Sequence, residues 1–158
     1  MMKLEHTGLV VKDLDKQKAF YCDIVGLKFI RESEAIAPPG GGHTGLDGVR
    51  RRLVFLGDGY GEHQLELIYY LDPASPAASP LAHHQVGSMH LCFKTENVQA
   101  CYENLLNHGV LFLTPPRFAA GGSVSLCYAQ DPEGNWIEFK EDLTGRSHLH
   151  RGEKDGIL

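Results

Sequence analysis

Two histidines and two glutamates recur at matching places along this chain of 158 residues. His6 opens the run Glu5-His6-Thr7-Gly8-Leu9-Val10-Val11, and Glu66 lies within Gln64-Leu65-Glu66-Leu67-Ile68. His90 opens Met89-His90-Leu91-Cys92-Phe93-Lys94, and Glu138 lies within Asn135-Trp136-Ile137-Glu138-Phe139. Imidazole plus carboxylate suits one borderline divalent transition ion (Ni, Zn, Co, Mn or Fe) better than calcium. Four protein ligands in an octahedral shell would leave two positions for water or a chelating substrate. An ion with open positions polarises a carbonyl and stabilises a developing enediolate. One of Glu66 and Glu138, loosened from the ion, can then serve as general base on the carbon beside that carbonyl. Taken singly, each residue is better explained as a strand side chain with a cross-strand partner. Taken jointly, two carboxylates in apolar strands call for a compensating cation.

The repeat also names the elements that must position these groups, since internal duplication governs the whole fold. A strand over 4–11 leads to Asp13 as N-cap of a helix over 14–25, which Gly26 stops. In the second half Asn97 takes the place of Asp13, and a helix over 98–107 ends near Gly109. A short strand follows each helix, over 27–31 and 110–113. Two more strands then flank a turn: 52–56 and 63–70 around a glycine-rich loop, and 123–129 and 136–140 around Asp131-Pro132-Glu133-Gly134-Asn135. Proline presets φ there, and Gly134 can take the left-handed position a bulged hairpin requires. The order is β-α-β-β-β, twice.

The expected fold is α+β, with two tandem βαβββ modules forming a curved mixed sheet around a metal site. The modules span 1–71 and 87–142, joined by a linker over 72–86 and followed by a polar tail over 143–158. Strand alternation puts His6, Gly8 and Val10 opposite Thr7, Leu9 and Val11, and sets Glu66, His90 and Glu138 away from the apolar faces that carry the helices. Val10, Tyr70, Cys92 and Trp136 share the ligand-bearing sides and are expected to line a substrate pocket. A proline- and glycine-rich insertion over 34–49 is a candidate lid.

Composition excludes other classes. A net charge of -5 leaves no basic footprint for nucleic acid, and Arg50-Arg51-Arg52 is too short a run to reverse that. No stretch approaches a membrane-spanning length, and the first residues run into a strand with no signal-peptide core. The scattered Cys22, Cys92, Cys101 and Cys127 never form a Cys-x-x-Cys pair and suit a reducing cytoplasm. His43, His83, His84, His148 and His150 are expected at the surface. His63 falls, by its odd spacing from Glu66, on the opposite face of its strand.

These residues resemble a known group. The paired modules, the opening His6-Thr7-Gly8-Leu9-Val10-Val11-Lys12-Asp13-Leu14, the Phe20-Tyr21 and Gly26-Leu27 that follow, and Asp131-Pro132-Glu133-Gly134-Asn135-Trp136-Ile137-Glu138 look like the vicinal oxygen chelate superfamily. Its members include glyoxalase I, methylmalonyl-CoA epimerase, extradiol dioxygenases, and fosfomycin and bleomycin resistance proteins. The resemblance places His6, Glu66, His90 and Glu138 on the metal-ligand positions of glyoxalase I. It implies a glyoxalase-like, metal-dependent lyase or isomerase acting on a small-molecule carbonyl substrate, as a homodimer whose site closes within one chain or between two. Two departures are visible. Val10 replaces the arginine that binds glutathione, and Tyr70 replaces an asparagine, so the standard glutathione hemithioacetal is not the expected substrate. The epimerase usually carries glutamine where this chain has Glu66. An Fe(II) extradiol-type dioxygenase, which needs two histidines and one carboxylate, is the alternative enzyme. A drug-binding resistance protein without turnover is the non-enzymatic one.

Overall fold

A computed structural model describes residues 1–40, 42–76 and 79–144. Gly41 of the candidate lid, Ala77 and Ala78 of the expected linker, and the tail residues His148 and His150 lie outside the described residues. The chain divides into two compact units, Met1–Ser79 and Pro80–Leu158.

The first unit runs β1 (His6–Val11), α1 (Leu14–Ala19), a π-helical stretch (Phe20–Val25), β2 (Lys28–Ile36), a 3-10 turn (Gly42–Thr44), β3 (Arg50–Gly57) and β4 (Gln64–Asp72). Its sheet has the order β1-β4-β3-β2, with β1 parallel to β4 and the other pairs antiparallel. The Asp13 carboxylate accepts from the Lys16 N–H at 3.0 Å and so starts α1. The helix packs on β4, and the side chains beneath it form the core: Val11, Leu14, Phe20, Tyr21, Val54, Leu56, Leu65 and Leu67 are all buried. Gln17 lies among them fully buried, with neither amide atom hydrogen-bonded.

The second unit repeats the plan with β5 (His90–Lys94), α2 (Val98–Asn107), β6 (Leu111–Phe112), β7 (Arg117–Phe118), β8 (Val124–Gln130) and β9 (Trp136–Asp142). The order is β5-β9-β8-β6, with β7 also on β8, and β5 runs parallel to β9. Asn97 caps α2 through the Ala100 N–H at 2.9 Å, and Gly109 past its end has φ 79°. Buried Glu141 reaches from β9 to the Val98 N–H at 2.9 Å, satisfying another free donor at the helix start. The helix packs on β8 and β9 over Leu105, Cys127, Ala129, Ile137 and Phe139.

Both units therefore have the mixed α+β, βαβββ plan expected, each with its own mixed sheet. Three local expectations are corrected. The single helix over 14–25 changes at Phe20 to π-helical spacing before Gly26 ends it at φ 97°, a wider turn that buries both Phe20 and Tyr21. Strand β2 extends to Ile36, so Glu34, Ala35 and Ile36 belong to a strand rather than to the loop over 34–49. Ion pairs to β3 hold this extension: Arg52 with Glu32, and Arg50 Nη2 with Glu34 Oε1 at 3.0 Å. The strand expected over 110–113 is only Leu111–Phe112, and the unexpected β7 follows it after two prolines. His83, expected at the surface, is exposed and also meets aromatic rings there.

Candidate functional site

In the first unit, β1 and β4 run in parallel register with Gly8 beside Glu66. Alternation turns His6, Gly8, Val10, Glu66, Ile68 and Tyr70 away from α1. The His6 Nε2 stands 3.3 Å from Glu66 Oε2. Its other nitrogen, Nδ1, lies 3.1 Å from Glu5 Oε2. A carboxylate holding Nδ1 orients an imidazole so that Nε2 is left for a ligand. Gly8 leaves room beside the glutamate, because an added Cβ would lie 3.2 Å from Ile68 Cδ1 and 3.6 Å from Glu66 Oε2. The His6 ring meets the edge of Phe55 at 6.2 Å between centroids. The Arg31 guanidinium covers the Phe55 face at 3.4 Å.

The second unit builds the same pair at the equivalent register, where Cys92 is the partner of Glu138. The His90 Nε2 is 2.9 Å from Glu138 Oε2. Here the carboxylate is more tightly held. The Tyr128 hydroxyl donates to Glu138 Oε2 at 3.1 Å, and Cys92 lies beside the same group in register. Burial, with the Glu138 charge second, pushes the Tyr128 phenol up to about 12, so it stays a proton donor. The same two causes raise the Cys92 thiol above its ordinary value.

An aromatic cluster surrounds this pair. His83 stacks on His90 with centroids 6.0 Å apart, and meets Tyr128 at 4.4 Å and Trp136 at 5.1 Å. The Trp136 indole N–H donates to the Leu81 carbonyl at 2.8 Å, fixing the segment that carries His83. Sequence reasoning placed Cys92 and Trp136 on this face but missed Tyr128 and His83. Tyr128 was recoverable, since β8 alternates and a hairpin register sets it opposite Glu138. Nothing in the spacing announced His83.

The candidate ligands thus form two pairs, His6 with Glu66 and His90 with Glu138. Among the described residues no group of three or more His, Cys, Asp or Glu side chains is gathered as a metal site. Each pair nevertheless fits one edge of a coordination shell. Two donors about 2.1 Å from an ion and at right angles lie about 3 Å apart, close to the 3.3 Å and 2.9 Å found. At such separations a nitrogen lone pair facing a carboxylate oxygen needs a proton or a cation between them.

His63 bonds Thr7 Oγ1 at 3.0 Å on the helix-bearing face, where its spacing put it. His43 reaches Arg51 Nη2 at 3.1 Å, tying the turn Gly42–Thr44 back to β3. The Gly40 N–H also donates to Asp47 at 2.8 Å, so the candidate lid is anchored at several points. Among the described residues, no helix is long and apolar enough to cross a membrane.

The chain is 29% identical over 150 residues to the lactoylglutathione lyase of Haemophilus influenzae, covering 94% of this chain and 98% of that one. It is 28% identical over 149 residues to the lactoylglutathione lyase of Schizosaccharomyces pombe, covering 87% of this chain and 46% of that longer protein. It is 32% identical over 142 residues to human mitochondrial methylmalonyl-CoA epimerase, covering 88% and 73%. Its fold matches that of a glyoxalase family protein from Bacillus cereus with a TM-score of 0.81 at 22% identity, over 90% of this chain and 95% of that one. The family model of the Glyoxalase/Bleomycin resistance protein/Dioxygenase superfamily matches residues 3–139, and the chain belongs to that superfamily.

Proposed function

We propose that this chain is a metal-dependent lyase or isomerase of the glyoxalase type, moving a proton on the carbon next to a carbonyl of a small substrate. The observation that carries this reading is the repeated pair: an imidazole Nε2 within 3.3 Å of a carboxylate oxygen, on equivalent strands of both units. His6, Glu66, His90 and Glu138 would hold one divalent transition ion, from one chain or from two copies in a homodimer. Such an ion would supply Lewis-acid stabilisation of negative charge on the substrate oxygens. The relatives named lactoylglutathione lyase and methylmalonyl-CoA epimerase support a lyase or isomerase class.

The two carboxylates take different roles. Glu138 is held by His90 and Tyr128, and serves as a fixed ligand. Among the described residues the polar partner of Glu66 is His6 alone, beside the space left by Gly8. Glu66 is therefore the group free to take and return the substrate proton. Val10 and Tyr70 share the ligand-bearing face of the first unit, and Cys92 and Trp136 that of the second; the hydrophobic Val10 and the phenol of Tyr70 turn the preference away from a glutathione hemithioacetal.

Metal analysis of protein purified without added chelator tests the reading. The expected result is one transition ion for each His-Glu-His-Glu set, lost in His90→Ala. Unaltered metal content in His90→Ala would refute the ligand assignment. Solvent-deuterium exchange into a carbonyl compound supports the isomerase chemistry, whereas oxygen uptake with a catechol would replace it with a dioxygenase.

A further inference from the structure

Charge is sorted across the first unit's sheet. The acids of β2, Glu32 and Glu34, are paired with Lys18, Arg52 and Arg50. Alternation, with the bulge between Phe29 and Arg31, turns Arg31 to the other face, in register with Phe55. That face carries Arg31, Arg51, His6 and Glu66, and the two carboxylates at His6, from Glu66 and Glu5, both stand against its ring nitrogens. The chain as a whole has a net charge of -5. This face nonetheless holds two guanidinium groups that, among the described residues, pair with neither glutamate.

The two arginines differ. Arg51 is 9% exposed and turned to His43. Arg31 is exposed, and among the described residues it makes no ion pair with any carboxylate. Its guanidinium carbon lies over the Phe55 ring, 3.4 Å from the centroid. Contact with an aromatic face holds a guanidinium in place while its N–H donors stay available to receive a carboxylate through two parallel hydrogen bonds. Phe55 touches the His6 ring as well, so guanidinium and imidazole flank one aromatic side chain. An anionic group docked on Arg31 would place the rest of a small molecule beside His6 and Glu66.

We propose that Arg31 is a specificity-determining residue that binds a carboxylate of the substrate, so that the molecule handled beside His6 and Glu66 is a carboxylated carbonyl compound. This rests on the reading that the face receives a small carbonyl substrate, and it adds which substrate class that is. An arginine kept only to cover Phe55 would be indifferent to the charge of a ligand. One that reads a carboxylate would not.

The test uses the full chain, as purified with its metal, titrated with 4-oxopentanoate and with its methyl ester. The two probes share a carbonyl and a carbon skeleton and differ in the anionic group. Binding is read from the Arg31 Nε–H resonance in ¹⁵N-labelled protein and from calorimetry. The wild type is expected to bind the acid at least about tenfold more tightly than the ester. Arg31→Gln should abolish that preference with unchanged metal content, and Arg31→Lys should keep part of it. Equal binding of both probes by the wild type, or a preference that survives in Arg31→Gln, overturns the proposal. Metal measured on the same samples separates the two readings. A metal-loaded wild type with no preference overturns the carboxylate claim alone. A metal-free wild type with an Arg31-dependent preference overturns the metal reading and leaves the carboxylate claim standing.

Discussion

Glu138 is held by His90 Nε2 and the Tyr128 hydroxyl, while Glu66 has His6 as its polar partner. A carboxylate fixed by two partners makes a good ligand, and one with a single partner can move a proton. Glu66→Gln should therefore cut solvent-deuterium exchange into substrate by about 10²–10⁴-fold, with metal content measured beside it. Tyr128→Phe removes an orienting hydrogen bond, so metal affinity should fall about 10–100-fold by competition with a chelator. Elsewhere, burial pushes the Cys127 thiol up to about 12 in a position only 1% exposed. A thiol reagent at neutral pH should leave Cys127 unlabelled until the chain is unfolded, as mass spectrometry of the peptides would show. At this scale the sequence disclosed the four candidate ligands, because duplication put matching residue types at matching places. It did not disclose Tyr128, His83 or Arg31. Alternation and hairpin register could have set Tyr128 opposite Glu138, but Arg31 depends on a bulge and His83 on where an irregular segment lies, neither of which follows from local pattern.

The elements were legible wherever a cap or a glycine marks a boundary. Asp13 and Asn97 start their helices through the expected backbone N–H groups, and Gly26 and Gly109 follow the helix ends at positive φ. Asn97→Ala should cost about 1 kcal/mol in denaturant unfolding, as loss of an N-cap does. The extension of β2 was not legible as apolar alternation because its code is electrostatic: Glu32 and Glu34 face Arg52 and Arg50 across the strands. The hydrogen bonds from Arg52 hold the Glu32 carboxyl below its ordinary range. A lowered folded value contributes stability above the ordinary carboxylate pKa, and that contribution fades as pH falls through the lowered value. Melting temperature should thus drop on acidification below about pH 4.5, and Glu32→Gln should flatten that part of the profile. Gln17 of α1 is a different matter. Its buried amide has neither atom hydrogen-bonded, so Gln17→Met, of similar shape, should stabilise the unit by about 1 kcal/mol.

At the scale of the whole molecule, one plan is used twice, and each copy contributes half of the proposed ligand set. A parallel β1–β4 pair and a parallel β5–β9 pair bring a histidine and a glutamate to the side of each sheet away from its helix. The covered side of each sheet holds the core, so the other side is free to carry polar chemistry without weakening the fold. Superfamily membership accounts for that division of labour and leaves the reaction to the residues on the uncovered faces. The two pairs are proposed to serve a single ion. The direct measurement is metal stoichiometry, by elemental analysis of the wild type, His6→Ala and His90→Ala, each confirmed folded by its melting curve. One transition ion is expected for each His6-Glu66 and His90-Glu138 set, and its loss when either histidine is removed. Full retention of metal in both variants, or two ions per set with each variant losing only one, would contradict it.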